Sequence, residues 1–518
     1  MRKVSILNEV IGPVMHGPSS SHTAASYHIG WLIRNLLDDE PDSVNIVFSK
    51  KGSYGAVYHQ QGSDLGFASG LLGWKITDER FKDALKEAKK SDLKINFQLE
   101  ALEADDHPNA IEINGLSKKG RKINVIARSI GGGAVEIIQI NGWRILLTGD
   151  SYDIIVETDI STKQELNQLL CVDHKNLEPP STQTRGDKMI FLLKRASSLD
   201  DKKIDTIKSM KEVTNVWTTS PIFFPMRGEP LFQSGKEMVD LAKSCGCTLG
   251  HIAIDYEAKL LGISTKEASN EMWSRYKIMR NSAIKGLDEK LTGMHLLKPT
   301  AWTVFESERN GKVAIGGIHT RAAARALSVM HVNSSMGVVC AAPTGGSAGT
   351  IPGVLTTLAE EKSLNKEQII KGMYAASAIG LILAIRGTFA AEIAGCQVEI
   401  GAAGAMAAAA VVEIAGGDAQ QACDAAAISF QNTMGSVCDL VQGMVEIPCH
   451  TRNALAASSA FVCADLILGG YFNPIPLDET IDAVMSVGKM LPLELRCTAL
   501  GGLALTPSAL TLENQLKG

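Results

Sequence analysis

The chain has few aromatic residues, no large excess of charge of one sign, no CxxC pair and no phosphate-loop signature. Phe, Trp and Tyr make up 5% of its 518 residues. The core must therefore be built from Ala, Val, Ile, Leu and Met, and the ordinary globular composition excludes disorder as the main state. Lys and Arg total 51 against 56 Asp and Glu, with no long basic run, so no nucleic-acid partner is expected. The longest strongly apolar run, Tyr374 to Ile385, ends at Arg386 and is shorter than the roughly 18–20 residues of a membrane span. The N-terminal stretch meets Gly12, Pro13 and His16 before a signal-like apolar core can form. A soluble, cytoplasmic protein with no membrane partner is expected. In that compartment structural disulfides are rare, so the ten cysteines are read as core thiols, metal ligands or redox groups.

The length suits several domains, and the composition shifts twice. Residues 1–148 read as a mixed α+β domain, with strand-like runs at Val44–Phe48, Ile95–Leu99, Ile123–Ala127 and Trp143–Leu147. Residues 149–225 read as a small α+β module, with strands at Asp153–Thr158, Lys188–Lys194 and Val213–Thr219 and helices at Thr162–Leu170 and Asp200–Met210. That order suits a ferredoxin-like unit, with a loop over Asp173–Gly186. Residues 226–518 read as mainly α-helical, with helices at Ile252–Leu261, Lys266–Ile284, Lys366–Ile385, Ala402–Ala415, Asp418–Met434, Arg452–Leu468 and Glu479–Met490. The Ala-rich tract Ala402–Ala410 has almost no polar face and is expected at the centre of the bundle, with Gly416 and Gly417 as its stop.

Three stretches can carry chemistry. Gly17-Pro18-Ser19-Ser20-Ser21-His22-Thr23 is a turn followed by a polar cluster at a helix start, where hydroxyls and backbone N–H groups can hold a carboxylate and His22 titrates near neutrality. The same residue types serve equally as a plain N-cap. Ala342-Pro343-Thr344-Gly345-Gly346-Ser347-Ala348-Gly349 can cradle an anion or simply connect packed helices. It lacks the Lys of a phosphate loop and the GxGxxG of a dinucleotide site. Cys396, Cys438 and Cys449 lie at non-periodic bends marked by Gly395 and Pro448, from which thiolates can converge on iron; buried free thiols are the ordinary alternative. Cys245-Gly246-Cys247 is too isolated to make a zinc site.

Taken together, GPSSSHTAAS, VNSSMGVVCAAPTGGSAGTIPG, AGCQVEIGAAGAMAAAAVVEIAGG, MGSVCDLVQGMVEIPCHTRNALAAS and LRCTALGGLALTPS resemble the iron–sulfur-dependent L-serine dehydratases, also called L-serine deaminases. The resemblance implies a single-chain fusion of a β-type domain, a small ACT-like module and a helical catalytic α-type domain. It implies a [4Fe–4S] cluster on Cys396, Cys438 and Cys449, with Cys340 outside the ligand set. Three thiolates on four irons leave one iron open as a Lewis acid that polarises the substrate hydroxyl. A base then takes the α-proton, and the product hydrolyses to pyruvate and ammonia. Ser20, Ser21, His22 and Thr23 are the expected catalytic group, with Ser19, Asn333, Thr344 and Arg386 binding substrate. A homo-oligomer acting on a small-molecule amino acid in amino-acid degradation is expected.

The chain departs from that family at several points. Gln61 stands where a His is common, and Gln cannot shuttle a proton; on a strand, His59 would share its face. Arg386 and Glu392 bring charge to a stretch that is commonly Asn-rich, Leu440 replaces a Pro, and Cys497 stands where Glu is common. A related lyase acting on a different amino or hydroxy acid, with Arg386 on a second carboxylate, is the alternative that these changes raise. A pyridoxal-phosphate lyase would need a Schiff-base Lys beside a phosphate cup, and none is evident. A non-enzymatic metabolite sensor would not need all three cluster cysteines.

Overall fold

The computed structural model describes residues 3–50, 52–102, 107–171 and 175–516; Met1 and Arg2 of the N-terminal stretch, and Asp173 and residue 174 of the expected loop, lie outside them. Among the described residues twelve strands form three sheets. The largest has the order β3-β2-β4-β5-β6-β7, built from β2 (Pro41–Ser49), β3 (Lys94–Glu100), β4 (Ala110–Ser117), β5 (Lys122–Gly131), β6 (Ala134–Ile140) and β7 (Trp143–Leu147). Only the β2–β3 pair is parallel, as a crossover through the helices Ser63–Leu71 and Ala84–Lys90 requires. Along β5 burial alternates residue by residue, so one face is core. The helix Ala25–Leu37 lays Ile29, Leu32, Ile33 and Leu36 on that face.

The second sheet, β11-β8-β10-β9, is antiparallel throughout and comprises β8 (Tyr152–Asp159), β9 (Ser181–Arg185), β10 (Lys188–Arg195) and β11 (Val213–Thr219). With the helices Lys163–Leu170 and Asp201–Lys208 it makes a βαββαβ unit of ferredoxin-like order. The expected loop over Asp173–Gly186 contains β9. Its residues STQTR are mostly exposed at the sheet edge and carry no apolar alternation.

The rest is helical. Helices Lys366–Arg386 and Ile400–Ile414 are buried almost all round. Ala at most interior positions of the second lets the helices Lys366–Arg386, Ala419–Thr433 and Cys449–Leu468 pack closely around it. It ends where expected: Gly416 adopts φ +85° and the Gly417 N–H returns to Val412 O at 2.9 Å. The helix Lys366–Arg386 extends the apolar run seen in the sequence, and with Cys396–Ile414 it is long and apolar enough to cross a membrane. Each is more than four-fifths buried inside this fold, the place of a core helix.

The N-terminal segment crosses between the parts. Val4, Ile6, Leu7, Val10 and Ile11 join the helical core, where the buried Glu257 carboxylate accepts the N–H groups of Ile6 and Leu7 at 2.8 and 2.9 Å. The chain then forms β1 (Val14–His16), antiparallel to β12 (Val338–Cys340). This two-stranded sheet delivers the Gly17–Thr23 motif to the face of the helical region.

Candidate active site

Ser19 caps a helical turn over Ser20–Ala24 that runs directly into the helix Ala25–Leu37; its side chain accepts the His22 N–H. The capping role is thus real, yet Ser19 through Thr23 are all buried, which a surface cap would not need. Ser20 Oγ accepts the Gly345 N–H at 3.1 Å, and Asn333 Nδ2 donates to Pro18 O at 2.9 Å. Asn333 is therefore a strut that fixes the turn. Thr23 Oγ1 donates to Gln61 O at 2.6 Å. His22 Nδ1 lies 3.0 Å from Ser21 Oγ and 3.3 Å from Ser19 Oγ, with the Tyr54 ring edge-on to the imidazole.

The glycine loop is a connection rather than an open cradle. The N–H of Thr344 goes to Ser347 Oγ, and those of Gly349 and Thr350 go to Asn453 Oδ1, both at 3.1 Å. Asn453 also donates to Gly346 O and Cys449 O, tying the loop to the start of the helix Cys449–Leu468. Thr344 keeps its hydroxyl toward Ser347 Oγ and the Glu399 carboxyl.

Two carboxylates that the sequence reading did not place here complete the polar group. Ser21 Oγ donates to Glu392 Oε1 at 2.9 Å, and the same oxygen is 3.8 Å from His22 Nδ1. Burial, with the negative charge of Glu392 nearby, pushes Glu399 up to about 8. The available signal was an isolated acid in each of two otherwise apolar stretches, AAEIA and CQVEIGAAG.

Beside these acids lie the cysteines. Cys396 opens a short turn that leads into Ile400–Ile414, Cys438 sits in an extended segment paired with Arg496, and Cys449 is the first residue of its helix. One ligand atom each from Cys396, Glu399 and Cys438 falls within 4.8 Å of the others. All three cysteines belong to one buried cluster of side chains, packed with Met330, Ile400 and Ala456. The Cys396 thiol is held well above its ordinary range by its hydrogen bond to Cys438 and by burial, and the Cys449 thiol by burial. Thiols and acids crowded this deeply cannot all ionise without a compensating cation, and sulfur donors select iron or another soft metal. The donor set fits an iron–sulfur cluster. Cys340 lies apart, in β12 and the main helical core. A cavity of about 620 Å³ between the helices Ala419–Thr433 and Cys449–Leu468 is lined by Cys396, Thr433, Ser436 and Arg452.

Two expectations do not survive the geometry. Arg386 points to the surface, where Nε donates to Asp482 Oδ1 at 3.0 Å and Nη1 lies 3.9 Å from Asp478; it neither pairs with Glu392 nor joins the site. The segment around His59 is a turn between helices, not a strand, so the alternation that would align His59 with Gln61 is absent. His59 is exposed on Asp64 at 2.7 Å, whereas Gln61 is buried and reaches toward Gly443 O.

The chain is similar in sequence to known proteins. The sequence profile described as "Serine dehydratase alpha chain" matches residues 195–504. A probable L-serine dehydratase alpha chain of Bacillus subtilis (strain 168) is 36% identical over 293 residues, covering 56% of this chain and 96% of that protein. The L-serine dehydratase alpha chain of Peptoniphilus asaccharolyticus is 35% identical over 275 residues, covering 53% and 94%. The L-serine dehydratase TdcG of Escherichia coli (strain K12) is 37% identical over 182 residues, covering 35% and 40%. With most of its helical region matched from end to end, the chain belongs to the serine dehydratase alpha chain family.

Proposed function

We propose that the protein is an L-serine dehydratase: it eliminates water from L-serine and releases pyruvate and ammonia. The observation that carries this is the meeting of Ser21, His22 and Glu392 from two distant stretches beside the buried thiols of Cys396, Cys438 and Cys449. Those three residues would hold a [4Fe–4S] cluster, which supplies a Lewis acid to polarise the C–O bond of the hydroxyl. The substrate carboxylate is held by the Ser19 and Ser21 hydroxyls, which already form a buried polar array with His22. His22, with Nδ1 3.0 Å from Ser21 Oγ and 3.8 Å from Glu392 Oε1, positions or carries the proton. Thr344 orients Glu399, and Ser20 and Thr23 fix the motif against Gly345 and Gln61.

The βαββαβ module over residues 149–225 is read as an ACT-like effector module of a cytoplasmic enzyme, with residues 1–148 as the β-type and 226–518 as the α-type domain. Its strand order 4-1-3-2 supports that reading. The test of the function is anaerobic purification followed by assay of L-serine, L-threonine, L-cysteine and hydroxy dicarboxylates for 2-oxo acid formation. Pyruvate from L-serine, lost together with iron in Cys396→Ala, is the expected result. Preference for a dicarboxylate would transfer the activity to another substrate class, and full activity in metal-free protein would remove the cluster from it.

A further inference from the structure

One further thiol lies at the site, outside the three-cysteine ligand set. Cys497 is buried in the same cluster of side chains as Cys396, Cys438 and Cys449. Its segment runs parallel to that of Cys438: the Cys438 N–H donates to Leu495 O and the Cys497 N–H donates to Cys438 O, both at 2.9 Å, so Arg496 is the residue in register with Cys438. In regular extended chain, successive side chains point to opposite faces, and the residue after Arg496 would turn away from the Cys438 side chain. Cys497 does not follow that pattern. It adopts φ +59°, a left-handed conformation that costs a residue with a side chain about 1–2 kcal/mol, and its thiol lies within hydrogen-bond reach of Cys438 Sγ.

The surroundings hold this conformation in place. The Arg496 guanidinium is fastened by Nε to Leu491 O and by Nη2 to Lys489 O, both at 2.9 Å. On the other side Asp439 accepts from Arg452 Nη2 and from the Leu503 N–H, both at 2.9 Å. Strained backbone that is fixed from both sides persists where a side chain must be aimed. Here it aims a thiol at a neighbouring thiol that itself touches a third, Cys396.

We propose that Cys497 is a fourth thiolate ligand of the centre, so that the resting cluster is held by Cys396, Cys438, Cys449 and Cys497. Four cysteines are a complete ligand set for a [4Fe–4S] cubane. This rests on the reading of the first three as cluster ligands, and it concerns the resting state alone: Cys497 would occupy the fourth iron until the substrate hydroxyl displaces it, a protein sulfur in the sequence position where the family commonly has Glu.

The experiment compares anaerobically purified, full-length wild type with Cys497→Ser and Cys497→Ala. Each is titrated with ferricyanide and followed by iron content and by the electron paramagnetic resonance signal of the three-iron cluster left when an unprotected iron departs. Wild type is expected to keep about four irons. Both variants are expected to lose one iron and develop the three-iron signal about tenfold faster or more, since even outer-sphere partners move metal affinity on that scale. Equal conversion rates in wild type and variants would overturn the fourth ligand while leaving the three-cysteine cluster standing. Wild type that binds no iron would overturn both. Should the variants bind no cluster at all, a normal near-ultraviolet dichroism spectrum would show that the fold is intact and that Cys497 is required for ligation, whereas a lost fold combined with rapid three-iron conversion of wild type itself would overturn it.

Discussion

At Gly345 the two loops of the site touch backbone to backbone. A Cβ there would lie 2.9 Å from Ser20 N and 3.1 Å from Pro18 O, and neither atom can rotate away. Gly345→Ala is expected to cost about 1–3 kcal/mol, as overpacking does, and to displace Ser20 and Ser21 from Glu392. A lower urea midpoint together with reduced kcat is the outcome to look for; a stable, fully active variant would mean that the loops can separate without harm. Glu392→Gln keeps the shape and the Ser21 contact but removes the charge beside His22. It should lower kcat by about a hundredfold or more, the scale of acid–base assistance, with an unchanged melting temperature. Arg386→Ala tests the reverse case. Its exposed pairs with Asp482 and Asp478 are worth about 0–1 kcal/mol, and L-serine turnover should stay the same.

Among the elements, the helix Ile400–Ile414 has little tolerance for larger side chains, because Ala407 is fully buried within its Ala-rich interior. Ala407→Leu is expected to lower stability by about 1–3 kcal/mol, measured by denaturant unfolding, and to disturb the turn that carries Cys396 at its N-terminal side. A neutral result would show slack that the packing does not suggest. This helix was legible because an apolar tract of that length has only one stable place, inside a bundle. So were β2, β3, β5 and β7, whose apolar β-branched runs match a half-buried sheet face. Other elements were not. β9 is polar at an edge, β4 carries Asn114 and Gly115 in its middle, and β1 and β12 are three residues each, formed only because distant segments meet. The cysteines and the GPSSSHT motif were visible as stretches. Glu392 was visible only as a departure, since nothing local says that it faces Ser21 across 371 positions of chain.

Across the described residues, burial lowers the pKa of His16, His28, His331 and His450, which sequence alone does not distinguish from titrating surface groups. Burial pushes His28 and His331 down to about 4 and His450 down to about 3. His28 stands at the junction of the parts: it lies on the helix Ala25–Leu37, its Nδ1 is 2.7 Å from Gly133 O between β5 and β6, and its ring meets Phe223 edge-on just beyond β11. In the unfolded chain this imidazole binds a proton near pH 6.5, whereas in the folded chain it resists until about pH 4. Between those values the unfolded state holds the extra proton, so stability is fully present above pH 6.5 and is lost as the pH falls toward 4. One such group contributes about 1.4 kcal/mol per pH unit, or about 2 kcal/mol between pH 6.5 and 5. Asp153 opposes this, since burial raises it to about 6 and its folded form holds a proton that the unfolded carboxylate has released, so its contribution is lost as the pH rises toward 6. A whole-protein acid curve therefore mixes both signs, and the separating measurement is the difference between wild type and His28→Gln. Denaturant unfolding at pH 7 and pH 5 should show the variant less stable than wild type at pH 7 and the gap narrowing by about 2 kcal/mol at pH 5. A gap that stays constant would mean that His28 is hydrated or already charged in the folded protein, contrary to its enclosure against Phe223 and Gly133.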